Sequence, residues 1–159
     1  MKKHHQWMVW PALIIIILDQ VSKWSIINLL GVHESVTVTG FFNLVHVRNR
    51  GMAFGLMNRP VFDAGFYLLT VATVVAIVLL LVWFFKLKNE DARIAFGLSF
   101  ILGGAVGNLI DRLRFREVID FLDFYLGSLH WPAFNIADSA ITIGILIFIY
   151  HILFNKLPA

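Results

Sequence analysis

Asp19 and Lys23 stand four residues apart inside a run of apolar residues, Asp111 and Arg112 close another, and Asn135 and Asp138 open a third. An ionisable group in hydrocarbon costs a few kcal/mol or more, so each of these side chains needs a reason. Asp19 and Lys23 share one helical face, where opposite charges offset part of their desolvation cost; a structural ion pair facing the bundle interior explains them as well as chemistry does. Asp111 beside Arg112 suits a helix-terminal salt bridge. Asp138 lies about one turn inside its run and is harder to read as a cap.

The chemistry open to these residues narrows by elimination. The chain has no cysteine, which excludes disulfides, thiolate metal sites and a cysteine nucleophile. Ser22, Ser99 and Ser139 have no matched histidine motif beside them, and serine catalysis needs a base in reach. The histidines, at positions 4, 5, 33, 46, 130 and 151, are scattered with no His-Glu-x-x-His stretch, so no metal is expected. Several aspartates remain. Two carboxylates about 4 Å apart repel by on the order of 4 kcal/mol at an effective dielectric near 20, so such a pair shares one proton. One member can then take a proton from water while the other donates to a carbonyl or departing amine, the aspartic-protease arrangement. A proton-coupled transporter could use the same carboxylates, and a non-catalytic membrane scaffold could use them for assembly.

The elements that must position these groups follow from composition. Of 159 residues 59% are apolar and 14% charged, with mean hydropathy +0.80, which excludes a water-soluble globule and a disordered chain. Roughly 20 apolar residues cross the hydrocarbon of a bilayer. Four runs qualify, at about 8–30, 66–85, 94–111 and 134–154. The expected fold class is an all-α membrane protein, a four-transmembrane-helix bundle forming one domain over 1–159. Trp and Tyr near the run ends suit the headgroup layer. The basic start and the isoleucine run mimic a secretory signal peptide, but the segment continues into Asp19-Gln20-Val21-Ser22-Lys23 with no small-x-small cleavage pattern, so it reads as a retained anchor. The net charge is +3, yet no basic run exceeds two residues. Nucleic acid is not an expected partner; an anionic membrane surface is.

Four spans put both termini and the link 86–93 on one side, and the longer connections 31–65 and 112–133 on the other. Basic residues do not orient the bundle. Lys2, Lys3, Lys86, Lys88, Arg93 and Lys156 lie on the terminal side, and Arg48, Arg50, Arg59, Arg112, Arg114 and Arg116 on the loop side. Lys2 and Lys3 before the first run favour a cytoplasmic terminal side. Val36-Thr37-Val38-Thr39, a turn at Gly40 and the alternation up to Arg48 predict a small antiparallel β element on the loop side. A brief interfacial helix is expected over 60–66. Gly103 with Gly107, and Gly97 with Gly104, mark two small faces of the third run where helices can pack closely. Asp111, Arg112, Asp120, Asn135, Asp138 and the segment Asn49 to Gly55 all belong to the loop side, and Lys23 points toward it. The spacing thus places a polar site one to two turns below that surface, where a transporter would need groups reaching both leaflets.

The ordered motifs Asp19-Gln20-x-Ser22-Lys23, Asn49-x-Gly51-x-Ala53-Phe54-Gly55, Gly107-Asn108-x-x-Asp111-Arg112, Val118-x-Asp120-Phe121 and Phe134-Asn135-x-Ala137-Asp138 closely resemble those of the lipoprotein signal peptidases, or signal peptidase II. The resemblance covers about 19–138. It implies four transmembrane helices in the bacterial cytoplasmic (inner) membrane, both termini cytoplasmic, and an extracytoplasmic β element. It also implies an aspartic endopeptidase that removes signal peptides from prolipoproteins by cutting before a diacylglyceryl-modified cysteine. The family's catalytic pair falls on Asp120 and Asp138; Asp123 is the rival to Asp120, but only Asp120 has a valine two residues before it. Asp19 and Lys23 become supports of the site, Asn49 and Arg112 groups near the substrate backbone, and Asn108, Asp111 and Asn135 polar neighbours. The loop at Gly51 is expected to close over substrate. The implied partners are the lipidated precursor, membrane lipids and globomycin-type inhibitors, with no metal or organic cofactor.

Overall fold

Every backbone amide in hydrocarbon must be paired within its own segment, so the apolar runs fold as helices despite their many β-branched residues. The computed structural model describes residues 3–51, 64–86 and 92–154, the side chains of 3–8 and 64 excepted. Four helices, α1 (Lys3–Leu29), α2 (Ala64–Lys86), α3 (Ala92–Phe115) and α4 (Ile136–Phe154), are long and apolar enough to span a membrane. Between α1 and α2 lie β1 (Ser35–Thr39) and β2 (Phe42–Asn49); between α3 and α4 lie β3 (Val118–Leu126) and β4 (Leu129–His130).

Helix α3 is the centre of the bundle, because its small residues let the neighbouring backbones approach. A Cβ on Gly103 would lie 2.9 Å from the Ala12 carbonyl oxygen of α1, and one on Gly104 would collide with the Ala137 carbonyl of α4. Gly97 meets Gly144 and Ile147 of α4, so the two small faces expected on this run receive α1 and α4 respectively. By contrast α2 is mostly exposed, with Leu68 70% and Phe85 71% accessible, and it packs through Phe84 onto Ile94, Ala95 and Leu98. Such a surface suits lipid.

The strands form one antiparallel sequence, β1-β2-β3-β4. The hairpin turns at Gly40 as expected, and Ile119 and Phe121 of β3 pack with Ile26 near the end of α1. Strand β3 was not expected. Val118, Ile119, Asp120 and Phe121 are all buried, so the two-residue alternation that reveals a half-exposed strand is missing here. In the β2–β3 register Val47 faces Asp120, just beyond an irregularity between Leu44 and Val47. Helix α3 also runs one turn beyond Asp111, ending where Arg116 takes a left-handed conformation (φ 61°) and its N–H reaches the Arg112 carbonyl at 2.9 Å. Residues 60–63 of the expected interfacial helix and 52–55 of the Gly51 loop lie outside the described residues; from Ala64 the chain is already in α2.

Candidate active site

Helix α4 begins at the sheet, and its first turn carries a reciprocal cap. The Asn135 side-chain carbonyl accepts the Asp138 N–H at 2.9 Å, while Asp138 Oδ2 accepts the Asn135 N–H at 3.3 Å. Capping therefore explains one oxygen of Asp138. Its other oxygen, Oδ1, accepts a hydrogen bond from Asn108 Nδ2 of α3 at 2.8 Å. Asn135 also reaches the second carboxylate, its Nδ2 donating to Asp120 Oδ1 at 2.7 Å. Asn49, at the end of β2, donates from Nδ2 to Asp120 Oδ2 at 2.8 Å and accepts the Gly51 N–H at 2.7 Å. Four elements, β2, β3, α3 and α4, thus bring Asp120 and Asp138 to one place, bridged by Asn135.

The two carboxylates differ in environment. Asp120 is 2% exposed, whereas Asp138 is half-buried and open to solvent. Burial pushes the Asp120 carboxyl up to about 6, and the negative charge of Asp138 acts in the same direction; the hydrogen bonds from Asn49 and Asn135 favour its ionised form but do not offset burial. Arg112 lies within electrostatic reach of Asp138, Asp111 and Asp120, with Nη1 donating to the Asn108 carbonyl at 3.3 Å.

Below this pair lies a buried ion cluster. Lys23 Nζ contacts Asp111 Oδ2 at 2.7 Å, Asp19 Oδ2 at 2.9 Å and Asn108 Oδ1 at 3.0 Å. The carboxylates also bind backbone: Asp19 Oδ1 accepts the Ala137 N–H of α4 at 2.9 Å, and Asp111 Oδ2 accepts the Ile119 N–H of β3 at 3.2 Å. The cluster therefore fixes α1, α3, α4 and β3 to one another. Gly107 is required beside it, since a Cβ there would lie 2.6 Å from Asp19 Oδ2. Gln20 completes the cluster, donating to Asp111 Oδ1 at 3.0 Å and to the Gly107 carbonyl at 3.2 Å. Sequence reasoning gave Gln20 no role, although a polar amide beside Asp19 in an apolar run was the available signal.

Asp123 belongs elsewhere. It accepts from Asn43 Nδ2 at 2.8 Å and from His130 Nδ1 at 2.9 Å. Burial opposes its ionisation, but the bonds from Asn43 and His130 prevail and hold it below the ordinary carboxylate range. Gly51 has φ +78°, and a Cβ on it would collide with Leu69 of α2, so glycine is needed for both conformation and space. All ten residues singled out from the sequence are among those described. Asp120, Asp138, Asn49, Asn108 and Asn135 form the carboxylate site, Arg112 borders it, Asp19, Lys23 and Asp111 form its base, and Gly51 adjoins Asn49. Among the described residues no group of three or more His, Cys, Asp or Glu is arranged to hold a metal ion.

Known proteins resemble this chain in sequence and in fold. Residues 11–154 match the signal peptidase (SPase) II family. The chain is 52% identical to the lipoprotein signal peptidase of Desulforapulum autotrophicum over 149 residues, which cover 91% of this chain and 90% of the relative. It is 45% identical to that of Cupriavidus necator, covering 90% and 80% of the two chains. A solved structure of a bacterial membrane enzyme, obtained by the in meso method at 1.9 Å resolution, superposes with a TM-score of 0.83 at 30% identity and covers 94% of each chain. A four-span bundle with a carboxylate pair at its sheet-covered end and a family match across nearly its whole length together make this chain a member of the signal peptidase II family, the lipoprotein signal peptidases.

Proposed function

We propose that Asp120 and Asp138 are the catalytic pair of a membrane aspartic endopeptidase that removes signal peptides from prolipoproteins, sharing one proton between them. The observation that carries this reading is the nature of their partners. Each carboxylate is held by side-chain amides, from Asn49, Asn135 and Asn108, while the Lys23 ammonium is engaged by Asp19 and Asp111. An adjacent ammonium would fix both carboxylates as anions; amides orient them and leave them able to exchange a proton.

In the proposed reaction a water between the two groups attacks the peptide carbonyl. The ionised carboxylate takes a proton from that water, and the protonated one donates to the carbonyl oxygen. Collapse of the tetrahedral intermediate then breaks the C–N bond as the amine leaves protonated. Arg112, within electrostatic reach of both carboxylates, orients the substrate backbone. The bond cut precedes the diacylglyceryl-modified cysteine, whose acyl chains stay among membrane lipids, and globomycin-type cyclic peptides occupy the same site. The chain acts as one domain in the cytoplasmic membrane with both termini cytoplasmic, and the Gly51 loop closes over bound substrate.

Incubation of purified protein with a diacylglyceryl-modified prolipoprotein, beside its unlipidated form, tests the reading: only the lipidated precursor is expected to shorten. Equal cleavage of both, or of neither, would refute it. The shared proton also predicts a pH dependence. The active form holds one proton on the pair, so kcat/KM is expected to fall on the alkaline side of an apparent value near 6. Asn49→Ala removes a hydrogen bond that favours ionised Asp120, so the alkaline limb should move to higher pH. A limb unmoved, or moved downward, would count against Asp120 as the proton-holding member.

A further inference from the structure

Among the described residues the basic side chains that flank the spans at the end of the carboxylate pair, Arg48, Arg50, Arg112, Arg114 and Arg116, are all arginine, whereas Lys86 and Arg93 flank the opposite end. Either type supplies charge, but only the guanidinium presents a planar fork that matches phosphate. Arg112 belongs to the site already described, and Arg50 pairs with Glu117 at 2.7 Å. Arg48, Arg114 and Arg116 have no carboxylate partner among the described residues.

These three arginines gather at the membrane end of α3. Arg48 Cζ lies 5.0 Å and Arg114 Cζ 4.8 Å from the centroid of the Phe115 ring, so the two cations are within about 10 Å of each other. Arg116 Cζ lies 5.8 Å from the Phe66 centroid. Like charges so close repel, and an anion between them would remove the repulsion. Arg48 is also held in place. Buried His46 has Nδ1 2.8 Å from the Leu30 carbonyl, to which it can only donate, so its Nε2 accepts from Arg48 Nε at 3.0 Å. That bond leaves both terminal amino groups of Arg48 without a hydrogen-bond partner among the described residues. Of the three arginines only Arg48 also lines the neighbouring cleft of Val32, His33, Arg50 and Glu117, so the anion is expected on the Phe115 side of Arg48 and not in that cleft.

Arg116 supplies a second, independent observation. It occupies the left-handed position that ends α3, a conformation glycine adopts at less cost, yet the chain places an arginine there. The level is that of the lipid surface, because the apolar helix ends at Phe115 and Leu113, two residues before it, is 67% exposed. We propose that Arg48 and Arg114, set around Phe115, together with Arg116, bind the phosphate of an anionic phospholipid headgroup at the rim of the carboxylate site. This inference needs only that the helices cross a membrane and not the peptidase chemistry, so either can fail without the other.

The test is the association of spin-labelled phosphatidylglycerol, relative to spin-labelled phosphatidylcholine, with the full chain in phosphatidylcholine vesicles. The protein is expected to prefer phosphatidylglycerol, and Arg48→Gln with Arg114→Gln to lower that preference by on the order of tenfold. Arg93→Gln, at the opposite membrane surface, should leave it unchanged. Lysine at 48 and 114 should restore only part of it. Arg116→Gly relieves backbone strain, so it should raise thermal stability while weakening the preference, which a purely structural role for Arg116 would not do. An equal preference in the protein and the double glutamine variant would overturn the proposal, as would full restoration by lysine. Displacement of the label by inorganic phosphate would assign the arginines to a soluble anion instead, and loss of preference in Arg93→Gln would reduce the effect to net charge.

Discussion

Asp120→Asn and Asp138→Asn are each expected to lower kcat/KM for a lipidated precursor by about 1,000-fold or more, with the fold retained. The reason is the single proton. With one carboxylate converted to an amide, the pair can no longer accept a proton from water while donating one to the carbonyl oxygen, whichever member is changed. The double variant should therefore be scarcely worse than either single one, because the two residues act as a unit. Thermal unfolding separates this loss from misfolding. Asp120 binds its proton more tightly in the fold than an ordinary carboxyl does, so above pH 6 its ionised form opposes folding, and the Asn variant should be no less stable than the parent at neutral pH. Asp123→Asn is the matched comparison. It loses the contacts with Asn43 and His130 but should retain turnover, since those contacts lie apart from Asp138 and its partners. Activity kept in the 120 variant and lost in the 123 variant would reverse the assignment.

How far these positions could be read from sequence depended on what surrounds each residue. The helices were legible because an apolar run of membrane length has one way to satisfy its backbone, and the packing faces of α3 were legible because glycine at helical spacing has few other uses in a bundle. Strand β3 was not, although it carries Asp120. Its first four residues are buried, and its pairing with β2 depends on the irregularity after Leu44, which no local pattern announces. Apart from the motif resemblance, the convergence of Asp120 and Asp138 was legible only as a shared membrane side; the bridge between them depends on Asn135 using its backbone for one and its amide for the other. Asp19 and Lys23 were read as a pair, whereas Asp111 proved to share the same ammonium and Arg112 to serve the carboxylate site instead. Spacing within a helix reveals a partner four residues away. It does not reveal one on another helix.

Lys23→Met is expected to destabilise the fold by about 3–5 kcal/mol, the largest stability effect of any single change near the site. Lys23 is 1% exposed, and the carboxylates it serves, Asp19 and Asp111, are 0% and 1% exposed. Removing the ammonium leaves two acids facing each other without its charge in a region closed to water, and among the described residues no other lysine pairs with them. Both acids also hold backbone amides of other elements, Ala137 of α4 and Ile119 of β3, so their displacement would pull at the two segments that carry Asp138 and Asp120. Turnover should therefore fall as a consequence of lost structure, unlike that of the Asn variants. Lys23→Met combined with Asp19→Asn and Asp111→Asn removes the uncompensated charges and should recover much of the stability, because a buried ion cluster contributes less than the penalty for breaking it. Lysine replaced by arginine should not rescue the site, since oxygens at 2.7, 2.9 and 3.0 Å are fitted around a compact ammonium and not a planar fork. Thermal unfolding of the four proteins, followed beside cleavage at a temperature where all remain folded, distinguishes the cases. A Lys23→Met protein that unfolds with the parent yet has lost turnover would show that the ammonium acts on the reaction and not on the scaffold.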